Sequence, residues 1–354
     1  MRTVDRLLAA GEIGGRTVQI DERGEVACVT YDPAPLPDRH VRVRTVLSAI
    51  SPGTEMTFFG RDASNVYLHK HWNPDLRLFE RGSPGLDYPI VFGYRAAGEV
   101  IDPGSTEVPR GSRVFGSWRH TELVAVPADR ALAQRVPDGL GWDDAVDLGQ
   151  MGPICVNAAL HGKDEAAGQP AVVIGAGPIG LITAQVVRAQ GAAVVHVVDR
   201  LEERVAIARD LGFEGLLATD GVDVAAALKR QYGADGIPVA WECSGALPGL
   251  AEAIRIVRRH GTVIAVGFYQ GGATALELGD EFHHNAVRIV SAQIGNPIGG
   301  LDRAALQTMT IDLATSGAIR LGGLPRTTLP VEDVAAAFEA LRRPREVFQV
   351  ALRY

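Results

Sequence analysis

Six residues in the middle of the chain, Gly175-Ala176-Gly177-Pro178-Ile179-Gly180, constrain the fold more than any other feature. They follow an apolar run, Ala171–Ile174, with the texture of a buried strand, and they open a helical stretch from Pro178 to Gln190. A second apolar run, Ala193–Val198, ends at Asp199. Gly175 permits a tight turn, Gly177 lets a ligand approach the backbone, and Gly180 lets the helix pack closely on the strand. The helix start offers free N–H groups and partial positive charge to an anion. In this context the turn is a dinucleotide fingerprint, with the pyrophosphate lying over it. A carboxylate at Asp199 accepts hydrogen bonds from ribose hydroxyls and repels a 2′-phosphate, so NAD is expected over NADP. Arg200 and Arg204 leave two readings open: a nearby arginine can accommodate a 2′-phosphate, or Arg204 reaches the ribose and Arg200 stacks on adenine.

The alternation of strand and helix continues through Gly215–Ala218, Val222–Tyr232, Pro238–Glu242, Pro248–His260, Thr262–Gly267 and Arg288–Ala292. That spacing predicts a doubly wound parallel sheet with helices on both faces, assigned to residues 154–294. Residues 1–153 read differently. His40–Ile50, Ser112–Phe115 and Glu122–Val126 are short strand signals, and Pro33, Pro35, Pro37, Pro84, Gly85 and Pro89 punctuate them. This is the pattern of an antiparallel β module. Residues 295–354 add helices at Asp302–Ser316 and Val331–Arg342, then a strand at Val347–Leu352 expected to rejoin that module.

Composition narrows the partners. A net charge of −7 gives no electrostatic reason to bind nucleic acid or an anionic membrane. Cys28, Cys155 and Cys243 are scattered and form no CxxC, which argues against a disulfide framework and suits a reducing cytoplasm. The charged N-terminus, with Arg2, Asp5 and Arg6, does not read as a signal peptide. The nearly uncharged run Pro170–Val187 reads as a strand entering a helix, not as a membrane span.

With the β module first, the Gly-rich turn second and a C-terminal return, the chain resembles the medium-chain dehydrogenase/reductase superfamily, the zinc alcohol dehydrogenase-like enzymes. The stretches that carry the resemblance are Ser51-Pro-Gly-Thr-Glu55, Gly93-Tyr-Arg-Ala-Ala-Gly-Glu-Val100, Arg113-Val-Phe-Gly116, Val136-Pro-Asp-Gly-Leu140 and the Gly175–Gly180 turn. It implies an α/β protein, with a GroES-like antiparallel β catalytic domain and a Rossmann parallel-sheet domain. It also implies that Val266, Gly267 and Phe268 place backbone groups near the nicotinamide carboxamide, with Ile294 and Gly295 approaching from the other side.

The departures from that family pattern concern the metal. Zinc members carry Cys-Gly-(Ser/Thr)-Asp where this chain has Pro52-Gly53-Thr54-Glu55, and Gly-His-Glu where it has Gly93-Tyr94-Arg95. The third ligand would fall near Gln150 or Met151, and the four-cysteine structural lobe is missing. Proline and arginine are not zinc ligands, and tyrosine, glutamine and methionine are not among the usual ones. No metal is therefore expected. The alkoxide that Zn²⁺ would stabilise then needs other groups. Tyr94 supplies a phenol, Arg95 a fixed positive charge, and Thr54 matches the hydroxyl that relays a proton in the zinc enzymes. Glu55 is expected to hold Arg95 or the substrate. The stretch Arg61–Asp87 is longer than zinc enzymes usually carry here and reads as a lid or binding loop. His69, His71 and Trp72 on it, and His283 before the last Rossmann strand, are candidate substrate contacts.

These readings lead to a dehydrogenase that interconverts a secondary alcohol and a ketone on a polar ring such as a polyol, cyclitol or modified sugar, using NAD. The Ser-Pro-Gly-Thr-Glu form resembles branches that act on hydroxyls of specialised metabolites and tetrapyrrole side chains. A metal-free alkene or quinone reductase is the alternative enzyme, and Asp199 counts against its usual NADPH. A non-catalytic NAD-binding protein is the alternative of another class. A homodimer or homotetramer is expected, built on the sheet edge near Arg288–Ile294.

Overall fold

A computed structural model describes residues 14–59, 65–82, 85, 86, 88–270, 272, 273 and 276–354. The N-terminal residues 1–13, on which the absence of a signal peptide was argued, and part of the 61–87 stretch lie outside the described residues. The chain divides into two units, residues 1–150 with 325–354, and residues 151–324.

The first unit is built around strand β3 (His40–Ala49), whose Val41, Val43, Thr45 and Leu47 alternate inward. One side of β3 pairs antiparallel with β7 (Ala96–Asp102), which pairs in turn with β8 (Arg113–Gly116). The other side is shared. Residues 40–44 pair with β9 (Leu123–Pro127), and residues 47–49 pair with β17 (Val350–Arg353), beyond which lies β16 (Thr327–Pro330). Thus the C-terminal strand does rejoin the β module. A smaller sheet joins β1 (Gly15–Ile20), β2 (Val26–Tyr31) and β6 (Ile90–Val91), and β4 (Lys70–Asn73) with β5 (Leu78–Arg81) forms a separate hairpin. Helix Val334–Leu341 buries Val334, Ala337 and Phe338 against the core formed by Val18, Ile20, Phe58, Phe92 and Leu352.

The second unit is a six-stranded sheet of parallel pairs, in the order β12 (Glu214–Leu217), β11 (Val194–Asp199), β10 (Pro170–Ile174), β13 (Val239–Glu242), β14 (Thr262–Ala265) and β15 (Arg288–Ser291). The strand order reverses between β10 and β13, so the crevice for a ligand lies at their carboxyl ends. Near-continuous apolar burial along β10 and β13 is what a sheet covered on both faces requires.

One boundary differs from the sequence expectation. The return to the first unit begins at Pro325 instead of residue 295. Helix Arg303–Thr315 packs on helix Met151–His161 of the second unit. Two buried amides hold the segment there. Asn157 bonds the Ala292 carbonyl at 3.1 Å and the Ile298 N–H at 3.2 Å, and Gln185 accepts from the Arg320 N–H at 2.8 Å. An amphipathic stripe reveals that a helix is covered, but not by which sheet. Among the described residues no helix is long and apolar enough to cross a membrane.

Candidate active site

In the second unit the Gly-rich turn leaves β10 with the Gly175 N–H bonded to the Val198 carbonyl at 2.7 Å. Helix Pro178–Ala189 starts from Gly177 with no side-chain cap, so no capping side chain competes with an anion for its first N–H groups. A Cβ on Gly180 would fall 1.7 Å from the Gly175 carbonyl oxygen, which is why no larger residue fits there. The Asp199 carboxylate is engaged by the turn itself. Its Oδ2 accepts from the Ala176 N–H at 2.7 Å and its Oδ1 from the Leu201 N–H at 2.9 Å, so it pins the turn. Arg204 lies over Gly177, its Nη1 3.2 Å from where a Cβ would stand. Burial pushes its guanidinium pKa down, and Asp199 opposes that shift. Arg200 is exposed. Pro178 and Ile179 form the first helical turn.

At the end of β14 the N–H groups of Val266 and Gly267 bond the Glu242 carbonyl at 2.9 and 3.1 Å. The buried Glu242 carboxylate accepts from the N–H groups of Ser244 and Gly245 and from the Tyr269 hydroxyl. Burial raises its pKa against those hydrogen bonds. Phe268 is exposed, and Ile294 is half-buried just beyond β15. The glycine cradle, the open helix start and Asp199 together fit a dinucleotide.

In the first unit Ser51 begins a tight turn, accepting the Thr54 N–H at 3.2 Å and the Glu55 N–H at 2.8 Å on its carbonyl. The turn brings the Ser51 and Thr54 hydroxyls onto the phenol of Tyr94. Tyr94 follows Gly93, whose φ of 115° and missing Cβ admit the His120 backbone nitrogen, 2.5 Å from where that Cβ would stand. Burial raises the Tyr94 pKa, and Glu55 adds to it. The two hydroxyls and Arg95 pull the other way without prevailing. Arg95 does pull the phenol pKa down, but burial and Glu55 outweigh it, so the phenol lies above its ordinary range.

Arg95 itself is placed elsewhere than expected. It does not pair with Glu55. Its guanidinium is buried, donating to Asp147 Oδ1 from Nε at 2.9 Å, to the Ile50 carbonyl at 3.2 Å and to Gln349 at 3.4 Å. Asp147 Oδ2 takes Arg326 at 2.7 Å, and Arg326 also reaches Asp143 at 2.8 Å. A neutralised, nearly closed network of this kind holds strands and helices together, and it offers no free charge to a substrate.

Glu55 is held instead by His120, which the sequence did not single out. His120 Nε2 lies 2.9 Å from Glu55 Oε2, and His120 Nδ1 lies 2.7 Å from Ser48 Oγ. Ser48 Oγ is in turn 3.2 Å from the Tyr354 hydroxyl. Glu55 and His120 are 1% and 0% exposed, so neither is a surface charge. The sequence signal was a histidine just before an alternating strand, too common to single out.

The remaining candidates do not join this cluster. His71 pairs with Glu80 at 2.8 Å across the β4–β5 hairpin, both of them well exposed. His69 caps the short turn before β4, and Trp72 stacks edge-on against Phe79 at 5.1 Å. His283 lies exposed in the second unit beside His284. Among the described residues no group of three or more His, Cys, Asp or Glu side chains is gathered as a metal site would need.

Comparison with known proteins bears on the family and the fold. A family model described as zinc-binding dehydrogenase matches residues 178–314. D-guloside 3-dehydrogenase of Shigella flexneri is 30% identical over 278 residues, covering 75% of this chain and 77% of that protein. The chain belongs to the zinc-binding dehydrogenase family. This dehydrogenase has the fold of the 2R,3R-butanediol dehydrogenase from Bacillus subtilis, with TM-score 0.74 at 18% identity over 96% of this chain and 99% of the other. An alcohol dehydrogenase of Escherichia coli CFT073, solved with NADH, superposes with TM-score 0.72 at 18% identity over 97% and 100% of the two chains. The dehydrogenase is an alcohol dehydrogenase-like oxidoreductase of α/β fold.

Proposed function

We propose that this dehydrogenase interconverts a secondary alcohol and a ketone on a polar ring, a polyol, cyclitol or sugar, with NAD(H) and without zinc. The observation that carries the reading is the Tyr94 phenol, which stands where zinc members carry a histidine ligand and is hydrogen-bonded by Ser51 and Thr54. Proline, tyrosine and the engaged guanidinium of Arg95 do not fit Zn²⁺, so no step runs through a metal. The name of the D-guloside relative supports a ring hydroxyl as the reacting group. The nicotinamide cofactor, when bound, gives or takes the hydride at the carbinol carbon. In ketone reduction Tyr94 donates its proton to the oxygen on which negative charge develops, and Thr54 fixes the direction of that donor. Asp199 favours the ribose of NAD over a 2′-phosphate, worth about 1.4 kcal/mol if the preference is about tenfold.

Steady-state kinetics with NADH titration test the reading. Tyr94→Phe lowers kcat roughly a hundredfold, the usual range for a positioned acid, and leaves NADH affinity unchanged. Thr54→Val lowers it similarly if Thr54 lies in the relay. If both variants keep kcat within about threefold, these hydroxyls are packing groups and the assignment fails. One zinc per chain, retained against chelator, overturns the metal-free part alone.

A further inference from the structure

Glu242 is the last residue of β13, which lies on one side of β10, while Asp199 ends β11 on the other side. A dinucleotide laid across the Gly-rich turn with its adenosine ribose at Asp199 therefore brings its other half over the carboxyl ends of β13 and β14. Glu242 is fully buried there. Its Oε1 accepts from the Ser244 N–H at 2.8 Å and from the Ser244 hydroxyl. Its Oε2 accepts from the Gly245 N–H at 3.1 Å and from the Tyr269 hydroxyl. All four donors are neutral, and among the described residues no arginine, lysine or histidine pairs with this carboxylate. The two backbone N–H groups can only donate, so each oxygen is held as an acceptor, which suits the ionised form. A buried negative charge with no cationic partner is costly to keep for packing alone. The backbone around it is shaped to admit it. A Cβ on Gly249 would stand 2.7 Å from Oε1, and one on Gly267 would stand 3.0 Å from Oε2 and 2.3 Å from the Gly245 Cα. The chains leaving β13 and β14 thus pass the carboxylate as bare backbone. Ser244 also abuts the dinucleotide turn, its nitrogen 2.8 Å from where a Cβ on Gly175 would stand.

Resting on the reading of a nicotinamide cofactor, we propose that the counter-charge Glu242 lacks is the nicotinamide ring itself, which is cationic only when oxidised, so that Glu242 makes this crevice favour NAD⁺ over NADH. The attraction between unit charges falls only with the inverse of distance and is weakly screened beneath buried backbone, so the carboxylate acts on the ring without touching it. In ketone reduction the hydride carries two electrons to the carbonyl carbon, the proton on the oxygen comes from Tyr94, and one positive charge is left on the ring. Glu242 meets that charge as it forms, and no bond to Glu242 is made or broken. In alcohol oxidation the same attraction holds the ring in its oxidised form and opposes transfer. Glu242 therefore tilts the bound equilibrium towards the alcohol, a direction that neither the Gly-rich turn nor Asp199 dictates.

The test is binding, not turnover. The full-length parent and Glu242→Gln, which keeps the shape and removes the charge, are titrated by calorimetry with NAD⁺, with NADH and with the benzamide analogue of NAD⁺, whose ring keeps the carboxamide and carries no charge. The ratio of the NAD⁺ Kd to the NADH Kd should rise at least about threefold in Glu242→Gln, through loss of NAD⁺ affinity. The parent should bind NAD⁺ at least about threefold tighter than the benzamide analogue, and the variant should bind the two alike. A carboxylate that merely holds the two chains in place would, on removal, weaken all three ligands by one factor, and that result overturns the proposal. Unchanged binding of all three overturns it too. If circular dichroism shows that Glu242→Gln does not fold, the parent decides alone, since equal affinity for NAD⁺ and the uncharged analogue refutes the attraction. A parent that binds neither NAD⁺ nor NADH removes the cofactor reading and this inference with it. Cofactor binding with an unmoved ratio removes this inference and leaves the proposed function standing.

Discussion

Replacing Arg95 by methionine separates a structural from a chemical role for this buried guanidinium next to Tyr94. The change keeps an apolar stem of similar length and removes both donors on Asp147 Oδ1 and the donor on the Ile50 carbonyl. Asp147 keeps Arg326 on its other oxygen, so it is left half-paired, not bare. Breaking a buried ion pair from one side costs about 3–5 kcal/mol, and the retained arginine places the loss at the lower end, about 3 kcal/mol. With an urea slope of about 3 kcal/mol per M, the unfolding midpoint of the first unit falls by about 1 M. Equilibrium urea unfolding followed by circular dichroism reads that shift. Kinetics at a temperature where the variant is folded should show kcat within about threefold of the parent. Adding Asp147→Asn should cost less than the sum of the single changes, because the two side chains share one interaction. An unmoved midpoint with kcat reduced a hundredfold would refute this reasoning and make Arg95 a group that acts on the substrate.

Three further outcomes are expected. Gly180→Ala places a methyl group 1.7 Å from the Gly175 carbonyl oxygen, so the turn must open, and NADH affinity should fall about a hundredfold, about 2.7 kcal/mol, by fluorescence titration; an unchanged Kd would contradict the cradle. Because burial raises the Tyr94 pKa, the donor stays protonated below the ordinary tyrosine pKa of about 10, so ketone reduction should show no loss of this acid across neutral pH while alcohol oxidation climbs with pH; a reductive limb lost near pH 7 that disappears in Tyr94→Phe would falsify this sign. The outer strand β15 leaves Arg288 and Ile289 exposed at the sheet edge, so a homodimer is expected whose light-scattering mass drops in Ile289→Asp; a monomeric parent protein at micromolar concentration would end that assignment.

The parts of the molecule that the sequence disclosed are those with short-range signals. The strand before Gly175, the helix after it and Asp199 at the next strand end lie within one βαβ unit, and local chemistry dictates each. Thr54 and Tyr94 were singled out through the family pattern, Tyr94 where a metal ligand would stand and Thr54 where zinc members carry a hydroxyl. The Arg95–Asp147 pair spans 52 residues and the His120–Glu55 pair 65, and neither leaves any periodicity to read. Glu55 beside Arg95 looked like a salt bridge because both flanked the former metal positions. The backbone turns them towards different partners. Helix Arg303–Thr315 was recognised but given to the wrong unit, because its covering surface is decided by Asn157 and Gln185, buried amides far upstream.

The shared edge of β3 has a consequence for synthesis. Its residues 47–49 pair with Ala351–Arg353, so the sheet that carries Ser48 gains that neighbour only after about 300 further residues, the span from Ser48 to Leu352, have been made. The second unit is one continuous stretch, Met151–Leu324, and can fold earlier, while the first must wait with a bare strand edge exposed. Contacts of such long sequence separation also form slowly. A stop codon anywhere between Pro325 and Val350 would release a chain whose second unit is complete and whose first unit lacks a strand. Such a product would bind dinucleotide and turn nothing over.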